Sequence, residues 1–243
     1  MGSKEQALLR TSGSLGFALL YAVITHIEDL ADERGLDLGD FSVSWALKDR
    51  LLSNPMSLLA SGRVEVFSSR VSEPVSRRVE IWGKTIDIAV TPGFGEESII
   101  GLYRSAARML SLDASIVREK AAVTSRSGTE FMFIYLDNGE LAMFEGEVYR
   151  VRLPFVRAVA TVHTHPEGSC GLSLPDIQSG LDLLSEGGLL SGAATPTCLA
   201  YMARIGLLTI DDYVAVKEAL YYKRHWDLWK TRFRSLEFGV TTY

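Results

Sequence analysis

Only two cysteines, Cys170 and Cys198, stand among 243 residues. That excludes a disulfide-dense secreted scaffold and makes a reducing cytosol the expected location, while a single Cys170–Cys198 bridge stays open. A strong excess of one charge is also missing. The formal net charge is −5, and it is spread evenly: residues 1–92 carry 10 basic and 12 acidic side chains, residues 93–243 carry 15 and 18. Neither part is a polycation, which argues against bulk electrostatic binding to nucleic acid. The apolar run that most resembles a signal or anchor is too short to cross a bilayer. The best candidate, Ser14–Thr25 (SLGFALLYAVIT), has 12 residues, where about 20 are needed. Lys4 and Arg10 precede it as in a signal peptide, but no small-x-small cleavage site follows. Leu20, Val23, Ile27 and Leu30 instead carry an apolar helical face past His26, Glu28 and Asp29. We read a core helix over residues 14–34, ending near Gly35, and no membrane association. Repeats and low-complexity tracts are absent too.

What is present is an ordinary globular composition, 47% apolar and 23% charged, long enough for one large domain or two small ones. A second helix is expected within Phe41–Leu59, broken or restarted at Pro55. Three short strands follow in RVEVFSSRV, SRRVEIWG and KTIDIAV. TPGFGEES (Thr91–Ser98) has the composition of a linker. It divides an N-terminal helical and β-hairpin region of unassigned role (1–92) from a second region (93–243).

In the second region, Ile99, Ile100, Tyr103, Ala107 and Leu110 mark a helix face. KAAVTSR (Lys120–Arg126) and TEFMFIYL (Thr129–Leu136) are expected as strands around Ser127-Gly128. DNG (Asp137–Gly139) is a hairpin signal. VYRVRL (Val148–Leu153) is a further expected strand, and RAVATVHTH a buried one ending at Pro166. Ser173 begins a helix through about Ser185. TCLAYMA and LLTIDDYVAV are expected as strands, the second partly helical. The sum is an α+β protein or a mixed α/β/α sandwich.

The stretch VHTHPEGSCGLSLPDI (Val162–Ile177) holds the chemistry. Residues i and i+2 of a strand face the same way. His163 and His165 therefore project together and can share one cation; alone, such a pair can equally hydrogen-bond in a polar corner. Ser173 with Asp176 three residues later has the form of a capping box, with Pro175 in the first turn. A capped helix start is rigid, so it can hold Asp176 at a fixed distance from the strand.

Taken together, His-Thr-His-Pro, six residues, Ser, two residues, Asp resembles the signature of the JAMM metalloproteases, the metal-binding branch of the MPN domain family. The resemblance covers about residues 96–216 and does not reach residues 1–92. It implies an α/β/α sandwich of cytidine-deaminase-like type. It also implies one zinc per chain on His163, His165 and Asp176, a stabilising role for Ser173, and an upstream glutamate as acid/base. Glu130 fits that glutamate best, opening the strand EFMFIYL 33 residues before His163, an interval somewhat short for the family. Glu119 and Glu140 are rivals, and Glu145 and Glu147 trail.

Three protein ligands leave zinc a fourth position for water, the layout of a catalytic site. The expected function is a zinc-dependent peptidase or isopeptidase acting on a ubiquitin-like protein conjugate or another polypeptide. The alternatives are a non-catalytic MPN-type scaffold and a nucleic-acid-associated JAMM-fold protein. A zinc deaminase would need Pro-Cys-x-x-Cys, which is absent. Cys170 is open between a thiolate reaching the metal and a loop residue or half of a disulfide. His26 reads as structural. His225 falls in YYKRHWDLWKTRFR (Tyr221–Arg234), which reads as a binding surface or a packed amphipathic segment.

Overall fold

The computed structural model describes residues 4–146, 157–166 and 170–243. Strand β1 (Lys4–Leu9) leads into helix α1 (Ser12–Arg34). The Thr11 side chain caps α1 by accepting from the Ser14 amide, and Gly35 ends it in the left-handed conformation. Every residue of α1 from Gly13 to Ile24 is buried. A helix apolar all round needs cover all round. Strands of two different sheets supply it, as shown below.

Next come β2 (Phe41–Val43), α2 (Trp45–Ser53) and α3 (Pro55–Ser61). Pro55 restarts the helix at the first helical position, where its missing N–H costs nothing. With β3 (Arg63–Ser68), β4 (Val75–Ile81), β5 (Lys84–Pro92) and β6 (Glu97–Ser98), β2 forms a five-stranded sheet in the order β4-β5-β3-β2-β6. Strands β3 and β5 run parallel.

Two short helices, α4 (Ile99–Tyr103) and α5 (Ser105–Met109), precede α6 (Ala114–Ser127). Here the structure corrects the expected strand over Lys120–Arg126. Val117, Ala121 and Thr124 form the buried face of α6, and their spacing of four and three is helical. Gly128, at φ 73°, is the left-handed cap of that helix rather than a hairpin turn. The DNG hairpin does join β7 (Phe131–Leu136) to β8 (Leu141–Glu145). The expected strand Val148–Leu153 lies outside the described residues.

The chain continues through β9 (Ala158–Thr164), α7 (Leu174–Ser185), β10 (Leu190–Ala194), β11 (Cys198–Arg204), α8 (Ile210–Tyr221) and β12 (Leu236–Thr242). Leu207–Val216, expected as a partly helical strand, contributes most of its residues to α8, because the Thr209 side chain caps a helix by accepting from the Asp212 amide. Seven strands form one sheet in the order β1-β8-β7-β9-β10-β11-β12. Strands β9 and β10 are parallel and cross over through α7. The chain is thus α+β with two mixed sheets.

Helices cover both faces of the seven-stranded sheet. One apolar cluster joins α1, α5 and α6 to Val162 and Ala194; another joins α7 and α8 to Ala193, Ala200 and Met202. Neighbours Ala193 and Ala194 fall in different clusters because alternate strand residues face opposite ways. The first cluster runs from Leu15 through Val64 and Ile99 to Ala203, so α1 shares its core with both sheets. Residue 92 closes β5, yet β1 and α1 belong with the seven-stranded sheet. A charged contact reinforces the junction: Glu28 on α1 accepts from Tyr103 on α4 and from the buried Arg204 on β11.

Candidate metal centre

The β9–α7–β10 crossover brings the start of α7 to the carboxyl end of β9, where open α/β sheets generally hold their ligands. At that end, Val162 and Thr164 are fully buried. His163 lies opposite Met132 of β7 and Ala193 of β10. The His165 amide donates to the Ala194 carbonyl at 2.8 Å, extending the ladder one residue past β9. The two imidazoles emerge together, with their Nε2 atoms 2.9 Å apart.

Asp176 completes the group. Its Oδ1 lies 3.1 Å from His163 Nε2 and its Oδ2 3.3 Å from His165 Nε2. The capping box expected from sequence holds it there. The Ser173 amide donates to Asp176 Oδ2 at 2.7 Å, and the Asp176 amide donates to Ser173 Oγ at 3.3 Å. Among the described residues, His163, His165 and Asp176 form the one such group of potential metal ligands. Metal–ligand bonds of about 2.0–2.1 Å in a tetrahedron put two donor atoms about 3.3 Å apart. The Nε2–Nε2 separation and the contact of each ring with its own Asp176 oxygen come within a few tenths of an ångström of that figure, so two imidazoles and a carboxylate converge closely enough to share a divalent ion.

Electrostatics favour cation binding. Burial pushes the Asp176 carboxyl up, but hydrogen bonds from His163 and His165, the charge of His163 and the Ser173 side chain outweigh it and hold the group well below the usual carboxylate range. The bond to Asp176 raises His165 against the opposing effect of burial, and the charges of Asp176 and Glu130 add to the rise. A metal would replace protons that the cluster otherwise holds.

Glu130 stands immediately before β7. It lines a cavity of about 430 Å³ with His163, His165, Ser173 and Asp176. Its rivals are elsewhere. Glu119 is exposed on α6 beside Lys120, and Glu140 accepts from Asn138 and pairs with Arg10. Glu145 ends β8, and Glu147 lies outside the described residues.

A buried threonine ties Glu130's strand to the histidines. Thr164, between the two ligand candidates, must face away from them. Its Oγ1 accepts from the Phe131 amide at 2.8 Å and lies 2.6 Å from Thr124 Oγ1 on α6. Backbone pairing of β7 with β9 reaches Met132 and His163. At the next position the Thr164 side chain continues the contact.

Ser173 is exposed on the same cavity. Because its Oγ accepts the capping hydrogen bond, its own hydrogen can be donated into the cavity. Cys170 is joined to Cys198, with Cα atoms 6.1 Å apart. Its sulfur is therefore no thiolate ligand; instead the bridge ties the loop before Ser173 to the first residue of β11. His26 is buried in α1 and takes no part in the cluster. His225 does come near the site. With Trp226 it lines a second cavity, of about 420 Å³, that also touches His165 and Ser173. Nothing in the sequence pairs these residues with a loop some fifty positions earlier.

Comparison with protein-family models, with curated proteins and with solved structures finds no match for this chain.

Proposed function

We propose that this chain is a zinc-dependent peptidase or isopeptidase of the JAMM type, with an MPN-like sandwich as its catalytic unit. The observation that carries the reading is the convergence of His163, His165 and Asp176: the two Nε2 atoms lie 2.9 Å apart, and each ring meets its own Asp176 oxygen, at 3.1 and 3.3 Å. Glu130 and Ser173 on the adjoining cavity wall support it. Zinc, when bound, would supply the Lewis acidity that brings a water's pKa to about 7. Glu130 would accept the proton as water attacks a carbonyl carbon, then return it to the departing amine. The Ser173 hydroxyl would donate to the oxygen that gains negative charge. The substrate class is a polypeptide, and in the isopeptidase reading a ubiquitin-like modifier joined to a lysine amine. A full set of ligands, acid/base and donor favours catalysis over a purely scaffolding role.

Metal analysis of the purified chain beside Asp176→Ala tests the centre. About one zinc per chain is expected for the parent and none for the variant. Glu130→Gln should keep the zinc and lose about 10²–10⁴-fold in hydrolysis of an isopeptide-linked substrate. Parental cleavage by Glu130→Gln would remove the acid/base assignment.

A further inference from the structure

The two cavities at the centre differ in chemistry. They share His165, Ser173 and Pro175, so an extended chain lying across the cluster passes from one to the other. The first carries the carboxylates of Glu130 and Asp176. The second has no Asp, Glu, Lys or Arg among its described lining residues; Pro166, Leu172, Leu174 and Trp226 give it apolar walls.

Trp226 is the main feature of that wall. It sits in a 3-10 turn (His225–Lys230) after α8, and its ring lies 4.6 Å from that of His225, centre to centre. It is 55% exposed, so much of its surface is open to a partner. A Cβ built on Gly171 would come within 3.3 Å of the Trp226 ring. A side chain at residue 171 would press on the indole where it approaches the loop that leads to Ser173. The Cys170–Cys198 bridge holds that loop from the other side.

We infer that this second cavity is a subsite for an apolar side chain on the acyl side of the cleaved bond. The inference rests on the hydrolase reading above. Glu130 must hand its proton to the departing amine, so the amine lies on the Glu130 side. The acyl residue, whose carboxylate is the product, then lies toward Trp226. A cavity of about 420 Å³ exceeds the volume of a leucine or phenylalanine side chain, and the apolar surface of Pro166, Leu172, Leu174 and Trp226, with polar contacts among the described residues limited to His165, Ser173 and His225, favours an apolar side chain over a charged one. Within the hydrolase reading this selects the peptidase arm: the substrate class becomes a polypeptide with a bulky apolar acyl residue rather than a modifier whose acyl residue is glycine.

Binding of acyl-product mimics to the zinc-loaded full chain tests this without relying on turnover. The probes are N-acetyl-leucine, N-acetyl-glycine and N-acetyl-aspartate, followed by calorimetry and by the indole N–H resonance of Trp226. N-acetyl-leucine should bind roughly tenfold or more tighter than the other two and shift that resonance. Trp226→Ala should bring leucine to the glycine level with zinc content unchanged, and Trp226→Phe should keep the preference. Gly171→Val, which pushes the indole aside, gives a second route to the same loss. Equal binding of leucine and glycine by the parent, or an unchanged preference in Trp226→Ala, overturns the subsite. A chain that takes up no zinc overturns the subsite and the hydrolase reading together. A zinc-loaded, Glu130-dependent hydrolase without the preference overturns the subsite alone.

Discussion

Ser173 and Asp176 bind each other twice, amide to carboxylate at 2.7 Å and amide to hydroxyl at 3.3 Å. One reciprocal contact therefore does two jobs. It starts α7, and it fixes the aspartate whose two oxygens face His163 and His165.

The capping contact of Ser173 and the donor role proposed for its hydroxyl can be separated. Ser173→Ala should cost about 1 kcal/mol of stability through the lost cap and about 10²–10³ in turnover through the lost oxyanion donor. Ser173→Gly should cost only about a few tenths of a kcal/mol but the same factor in turnover. Denaturant midpoints and kcat for the pair decide this. Equal turnover in parent and glycine variant removes the donor role.

Acidity should set metal affinity. His165 titrates above its ordinary 6.5 because Asp176 favours its charged form, so protons compete with zinc through neutral pH. Zinc affinity should rise with pH and level off once His165 is neutral. In the metal-free chain the stability linked to His165 is complete below 6.5 and fades as pH rises through the raised value. That linked to Asp176 is present above its ordinary 3.8 and fades only as pH falls through the depressed value. Urea midpoints of the metal-free chain should therefore decline from pH 6 to pH 8, whereas those of the zinc-loaded chain should not.

Thr164 holds the Phe131 amide, the residue next to Glu130. Thr164→Val removes the acceptor for the Phe131 amide, and a buried unpaired group of this kind costs about 1–3 kcal/mol. Faster hydrogen exchange at the Phe131 amide is expected, with zinc retained, KM little changed and kcat reduced. Thr164→Ser should restore exchange protection and kcat. A valine variant with parental protection at Phe131 would show that the hydroxyl does not hold the strand.

The Cys170–Cys198 bridge closes a loop of 28 positions. On a chain-entropy basis it contributes about 3–4 kcal/mol, and replacing both cysteines by alanine should lower the denaturant midpoint accordingly. A reducing cytosol, the location expected from so few cysteines, does not maintain structural disulfides. Mass measurement of alkylated protein, purified without reductant, shows directly whether the bridge forms. Two alkylated cysteines would remove it.

Much of the centre could be read along the chain because it is local. His163 and His165 share a face by strand periodicity, and Ser173 and Asp176 meet by helix capping; all four lie within one strand–loop–helix unit. Helix α1 was legible for the same reason. The segment Lys120–Arg126 reads as a strand by itself because its alanines and β-branched residues suit either state, while its helical spacing shows only when Val117 is included. Sequence left open which glutamate adjoins the histidines, and the sheet order answers it. Strand β7 pairs with β9 and brings Glu130 to the histidines, whereas Glu140 sits on the hairpin turn and Glu119 on the exposed side of α6. The fate of Cys170 and the arrival of Trp226 were likewise decided in three dimensions.

By itself, then, the sequence determined the donor set and its local geometry, since these depend on backbone periods and hydrogen bonds between near neighbours. Only the tertiary structure decided which distant carboxylate, sulfur and indole surround that set. Those contacts depend on which strands pair and how helices pack upon them, and no short stretch of chain encodes that pairing.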